Sequence, residues 1–218
     1  MKMRPSLLKP LLTALVLLFC VGSVQAGRLL LPKMQPVKVE AKYLHRSHGS
    51  PRAPLWIIEY LDFQCSSCRD AVKVMDEYIA KYPKDIYLQQ RYYPLLKSHL
   101  YALKSAIYSE CAARQKKFWG FTEQIFEWQS RWNRSEDPDA VFLEAAKKRG
   151  LDVQALGACV QDPAVKAEVL AEREEALGLG LRMTPTFFMN GEKIESLPAM
   201  RAALDDYFRK KYPRRHKA

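Results

Sequence analysis

The sequence predicts an α/β fold in which a helical region is inserted between a strand-helix-strand half and a hairpin-helix half. Three observations carry this reading. A run of strand formers at 55–61 gives way to helical spacing and then to a second strand-like run. The stretch from about residue 99 to 177 keeps helical periodicity and holds little that resembles a strand. Asn190-Gly191, between two short runs, is the strongest two-residue hairpin signal in the chain.

Leu55-Trp56-Ile57-Ile58-Glu59-Tyr60-Leu61 is almost wholly apolar, which suits a central strand buried on both faces, and Glu59 is its one acid. After Asp62-Phe63-Gln64, residues Ala71, Val72, Met75, Tyr78 and Ile79 fall on one side of a helix that Tyr82-Pro83 stops. Ile86 to Tyr93 reads as the second strand. In the inserted region, Asp137-Pro138 and Asp162-Pro163 punctuate several helices. The aromatics Tyr101, Tyr108, Phe118, Trp119, Phe121, Phe126, Trp128 and Trp132 are expected as its core rather than as a peptide-stacking surface. Thr186-Phe187-Phe188-Met189 and Glu192-Lys193-Ile194 flank the hairpin turn, and a closing helix runs from about Leu197 to Lys211.

The N-terminus has the layout of a secretory signal peptide. Lys2, Arg4 and Lys9 precede an apolar run from Leu11 to Val21, and Val24-Gln25-Ala26 offers a small-residue cleavage pattern after Ala26. The run is short of the roughly 20 residues a membrane anchor needs. Cys20 leaves with the leader, since Phe19 stands where a lipoprotein signal would carry a small residue. The remainder suffices for one domain with a sizeable core. The net charge of +11 is unevenly placed: three basic residues lie in the leader and six in 207–218, including Arg214, Arg215 and Lys217. The high pI thus describes a tail, expected as a solvated end, and not a basic face for nucleic acid. The lead-in at 27–53 is expected to be partly ordered at most.

Export places the chain in a periplasmic or otherwise extracytoplasmic compartment, where disulfides persist. Four cysteines remain, Cys65, Cys68, Cys111 and Cys159. Cys65-Ser66-Ser67-Cys68 sets two thiols three residues apart where a buried strand feeds a helix. Unsatisfied amides and the positive helix end at such a mouth favour a thiolate, which makes Cys65 the nucleophile and Cys68 the resolving thiol. A bare pair at this spacing also occurs in zinc sites and structural disulfides. A zinc site is disfavoured because it takes about four N/S ligands, and beyond this pair the chain offers no second such pair and only His45 and His48 close together. No metal and no cofactor are expected.

Glu59 through Cys68, together with Met183-Thr184-Pro185-Thr186-Phe187-Phe188-Met189-Asn190-Gly191, resembles the DsbA-like branch of the thioredoxin superfamily. The likeness covers about Pro54 to Tyr212. It implies a thioredoxin fold with a helical domain inserted between its βαβ and ββα halves, at 54–98 and 178–212, with the helical domain at 99–177 and a basic tail at 213–218. It also implies a cis Thr184-Pro185 bond lying against the cysteine pair. Thr184 then offers its main chain to an extended substrate peptide, next to a proline that has no amide proton. Glu59 matches the position of a buried acid able to accept the proton of Cys68, against the alternative of a solvated strand-end glutamate. The dipeptide Ser66-Ser67 departs from the proline and histidine common in the strongest oxidases. A milder oxidant follows, with the serine hydroxyls as possible donors to the thiolate. Some relatives carry a second cysteine pair in the insertion, so Cys111 and Cys159 stand either as a structural disulfide or as two separate buried thiols.

The function expected is donation of disulfides to reduced or misoxidised exported proteins, with a quinone-linked membrane oxidase as redox partner. A disulfide isomerase or reductase, including one for apocytochrome thiols, and a redox-inert peptide-binding module are the alternatives. A monomer is expected, because the lead-in supplies no dimerisation domain.

Overall fold

The computed structural model describes residues 40–213. The expected leader at 1–26, the start of the lead-in and the tail from residue 214 lie outside the described residues. The five-stranded sheet is built around β2 (Leu55–Leu61), in the order β1-β3-β2-β4-β5. β2 pairs in parallel with β3 (Ile86–Tyr92) and antiparallel with β4 (Thr186–Met189). A parallel pair needs a crossover, and α1 (Ser66–Lys81) provides it. β5 (Glu192–Glu195) returns through Asn190 and Gly191, both at positive φ as the hairpin turn requires.

The period-two alternation of β2 sorts its side chains. Leu55 and Ile57 face a core of Met75 and Ile79 from α1, Leu88, Phe187, and Leu204 and Phe208 from α8 (Leu197–Lys211). Ile58 and Tyr60 face the other way, against Ala176, Leu181 and Phe188. Six helices lie between β3 and β4: α2 (Ala102–Arg114), α3 (Phe118–Glu127), α4 (Gln129–Trp132), α5 (Pro138–Lys148), α6 (Val153–Val160) and α7 (Pro163–Gly178). The Asp-Pro pairs read from the sequence start two of them, with Asp137 capping Ala140 N at 3.2 Å and Asp162 capping Ala164 N at 2.8 Å. Phe63, Leu61 and Tyr92 join the core of these helices, which contains Phe118, Phe121, Phe126, Trp132 and Phe142. Each such fully buried ring contributes on the order of 1.5–3 kcal/mol relative to exposure.

Three of the aromatics expected in that core, Tyr101, Trp119 and Trp128, are only half-buried. Trp128 lies under Arg131 and Lys148, with their charged groups 4.1 and 4.8 Å from its ring centre.

The described part of the lead-in, from residue 40, is ordered. Ala41–Arg46 forms a 3-10 helix and β1 (Ser47–Gly49) pairs antiparallel with β3 at the sheet edge. The reason is a buried ion cluster invisible to local pattern. Arg46 sits 4.1 Å from the Tyr92 ring centre, 3.2 Å from Glu110 of α2 and 2.9 Å from Glu172 of α7. Gly49, at φ 88, has no alternative, because a Cβ there would lie 2.1 Å from the Ile86 carbonyl oxygen.

Candidate active site

At the C-terminal end of β2 the chain turns sharply. Asp62 Oδ1 accepts from Gln64 N at 2.7 Å and the Asp62 carbonyl accepts from Cys65 N at 3.1 Å, which leaves Cys65 as the N-cap of α1 in an extended conformation. Register brings the second segment to the same end of the sheet. β4 runs antiparallel to β2 with Thr186 opposite Tyr60, so Pro185 falls at the end of β2 and Thr184 just beyond it, over the turn. The Thr184-Pro185 bond is cis, and the Cys65 thiol donates to the Thr184 carbonyl at 3.3 Å. From α4, Gln129 Nε2 donates to the carbonyls of Phe63 at 2.9 Å and Cys65 at 3.0 Å, so the insertion holds the turn in place.

The two thiols of the pair are free, Cys65 half-buried and Cys68 fully buried. Their environments push them in opposite directions. The Cys65 pKa is lowered to about 6, first by the Cys68 thiol donating to it and then, against the cost of burial, by the Thr184 side chain and the amides of Cys68 and Ser67. Backbone amides rather than serine hydroxyls therefore do what the sequence left to Ser66 and Ser67. Cys68 is raised, chiefly by burial, with the charges of Cys65 and Glu59 adding.

Glu59 is wholly buried on the face of β2 shared with Leu55 and Ile57, and burial raises its carboxyl to about 7. Gln90 Nε2, from the adjacent strand, donates to Glu59 Oε2 at 2.9 Å, while Oε1 has no hydrogen-bond partner. The solvated alternative for Glu59 is excluded by this placement. The structure thus gathers Cys65, Cys68, Glu59, Thr184 and Pro185 at one end of the sheet. Cys111 and Cys159 lie apart from them, joined by a disulfide between α2 and α6 with a Cα separation of 5.8 Å.

Several residues at the site escape sequence reasoning. Gln129 and Gln90 carry no local signal, since an amide in a helix or a strand reads as an ordinary polar position. Asp62 and His99 are paired, with His99 Nδ1 2.9 Å from Asp62 Oδ2. Asp62 was legible only as part of the turn, and His99 lies 37 residues downstream of it.

The family model described as Thioredoxin matches residues 44–206. The chain belongs to the thioredoxin family. Among solved structures, this thioredoxin-family chain is similar to alpha-DsbA1 from Wolbachia pipientis, with a TM-score of 0.63 and 23% identity over 76% of this chain and 91% of that one. It is also similar to oxidised BdbD from Bacillus subtilis, with a TM-score of 0.64 and 18% identity over 74% and 91% of the two chains. Its fold is therefore DsbA-like. A Na(+)/H(+) antiporter NhaA 1 from Mycolicibacterium gilvum is 30% identical over 162 residues, which is 73% of this chain and 25% of that protein. The chain thus spans about a quarter of the length of the curated relatives it matches. This thioredoxin-family chain with a DsbA-like fold thus carries a free dithiol at a helix mouth. Among the described residues, no helix is long and apolar enough to cross a membrane.

Proposed function

We propose that this chain is a thiol-disulfide oxidoreductase that works as a disulfide donor to reduced proteins in an extracytoplasmic compartment, reached through the leader at 1–26. The observation that carries the reading is the opposed displacement of the two thiols: Cys65 is lowered to about 6 while Cys68 is raised. A stabilised thiolate favours the reduced pair, and a favoured reduced form makes the disulfide an oxidant.

Donation begins with a substrate thiolate attacking Cys65 Sγ of the oxidised pair. The Cys65-Cys68 bond breaks, a Cys65-substrate disulfide forms, and Cys68 leaves with the electron pair and takes a proton from Glu59. A second substrate thiolate then attacks the substrate sulfur of the mixed disulfide, and Cys65 leaves as a thiolate. The substrate dithiol has lost two electrons and two protons, and the pair has gained the electrons. When Cys68 instead attacks the mixed disulfide, Glu59 receives its proton, a role suited to a buried carboxyl titrating near 7. The Thr184 main chain, beside a proline without N–H, docks the substrate as an added strand. A quinone-linked membrane oxidase reoxidises the pair.

Alkylating mass tags applied to Cys65 and Cys68 in intact cells test this. A predominantly oxidised pair is expected; a predominantly reduced one overturns the donor reading in favour of an isomerase or reductase. With Cys65 near 6 rather than the roughly 3.5 of DsbA, the potential is expected between about −270 mV for thioredoxin and −120 mV for DsbA.

A further inference from the structure

His99 has no part in the mechanism above, yet it is fastened to the turn that carries Cys65. Asp62 is the fastening. Its carboxylate, fully shielded from solvent, accepts from Gln64 N at 2.7 Å, from Leu95 N at 2.8 Å and from His99 Nδ1 at 2.9 Å, while its carbonyl accepts from Cys65 N. The carboxylate's charge is thus engaged by three N–H donors in the interior, whereas the imidazole keeps a solvent-facing edge, with 24% of its side chain exposed. A buried carboxylate gripping one ring nitrogen favours the imidazolium. The His99 pKa is raised, first through the Asp62 hydrogen bond and also through the charge on Cys65. Such coupling is mutual: a thiolate that favours the imidazolium is favoured by it to the same degree.

We propose that His99, oriented by Asp62, is a positioning residue that supplies a cation to the Cys65 thiolate from outside the Cys65-Ser66-Ser67-Cys68 loop. It replaces the histidine that this loop lacks. The inference rests on the thiol chemistry of the proposed function and deepens it. In the second step of donation, the sulfur-sulfur bond to Cys65 breaks and its electron pair stays on Cys65 Sγ, where the imidazolium stabilises it; His99 keeps its proton throughout.

The other groups around the pair leave this place open. On α1, Cys68 is a neutral donor and the Arg69 guanidinium engages Asp70 and Gln129. From β2, Glu59 is protonated below about 7. Thr184 and Gln129 are uncharged, and Lys104 on α2 is tied to Asp139 at 2.5 Å.

The first test needs no variant. The ring protons of His99 are titrated by NMR in the reduced and the oxidised full-length protein. A higher His99 pKa in the reduced form, where Cys65 is charged, is expected; equal values in both forms overturn the proposal. The second follows iodoacetamide alkylation of Cys65 against pH. His99→Gln is expected to lower the rate at pH 6 about threefold by moving the thiolate midpoint up, and His99→Lys to restore it. An unchanged midpoint in His99→Gln, or an equal shift in both variants, overturns the proposal. Both readouts concern the thiolate and not the direction of electron flow. A pair found reduced in cells therefore sinks the donor reading alone, and a His99 blind to Cys65 sinks this one alone.

Discussion

The molecule holds two cysteine pairs whose fates differ completely. Cys65 and Cys68 are free thiols at the mouth of α1, where amides, Thr184 and a neighbouring thiol stabilise one sulfur as an anion. Cys111 and Cys159 are joined across two helices, with Cys111 wholly buried inside α2 and Cys159 half-buried in the last turn of α6, away from a helix N-terminus that would offer it free amides. The residue type is the same in both. What differs is whether the backbone around the sulfur has unsatisfied donors, which a strand-to-helix turn provides and a helix interior does not. A stabilised thiolate is a property of the turn, and stapling is a property of the core.

Removing Cys65 breaks the comparison most severely. Cys65→Ser is expected to reduce exchange with a cysteine-containing peptide at least about 1000-fold with little change in melting temperature, whereas Cys68→Ser should accumulate mixed disulfides visible on non-reducing gels. The second pair should show the reverse pattern. Replacing Cys111 and Cys159 together with Ala opens a loop spanning 48 residues and is expected to cost about 2–4 kcal/mol in denaturant unfolding, with exchange per folded molecule retained. An exchange rate that fell with the double replacement as it does in Cys65→Ser would erase the distinction.

Glu59 sharpens it further. Its carboxyl is raised from 4.5 to about 7, so burial penalises the charged form. The sign follows: the penalty is absent below the ordinary carboxyl range, grows as pH rises from about 4.5, and is complete above about 7. Glu59→Gln is therefore expected to stabilise the protein above pH 7, by up to about 3 kcal/mol, and not at pH 4. The same variant should slow resolution of a mixed disulfide by about 10-fold or more in stopped flow. Resolution at the wild-type rate would remove Glu59 from the proton path. The smallest effect belongs to the link between the regions: Gln129→Leu frees the carbonyls of Phe63 and Cys65, and about a threefold loss of exchange rate is expected, with a cost near 1 kcal/mol for the unmade hydrogen bonds.

The sequence by itself determined the elements and the place where chemistry begins. Apolar run, helical spacing and hairpin signal are short-range patterns, and the switch from strand to helical period at Asp62-Phe63-Gln64 puts Cys65 at a helix mouth with no need of distant residues. The closing helix at 197–211 and the Asp-Pro helix starts were readable for the same reason. Only the tertiary structure decided the burial of Glu59, since that takes strands on both sides and α1 above. The same holds for the order of the lead-in through Arg46, the bonding of Cys111 to Cys159, and the Gln129 and His99 contacts at the turn. Desolvation and charge are set by neighbours far apart in the chain, and no local pattern carries them.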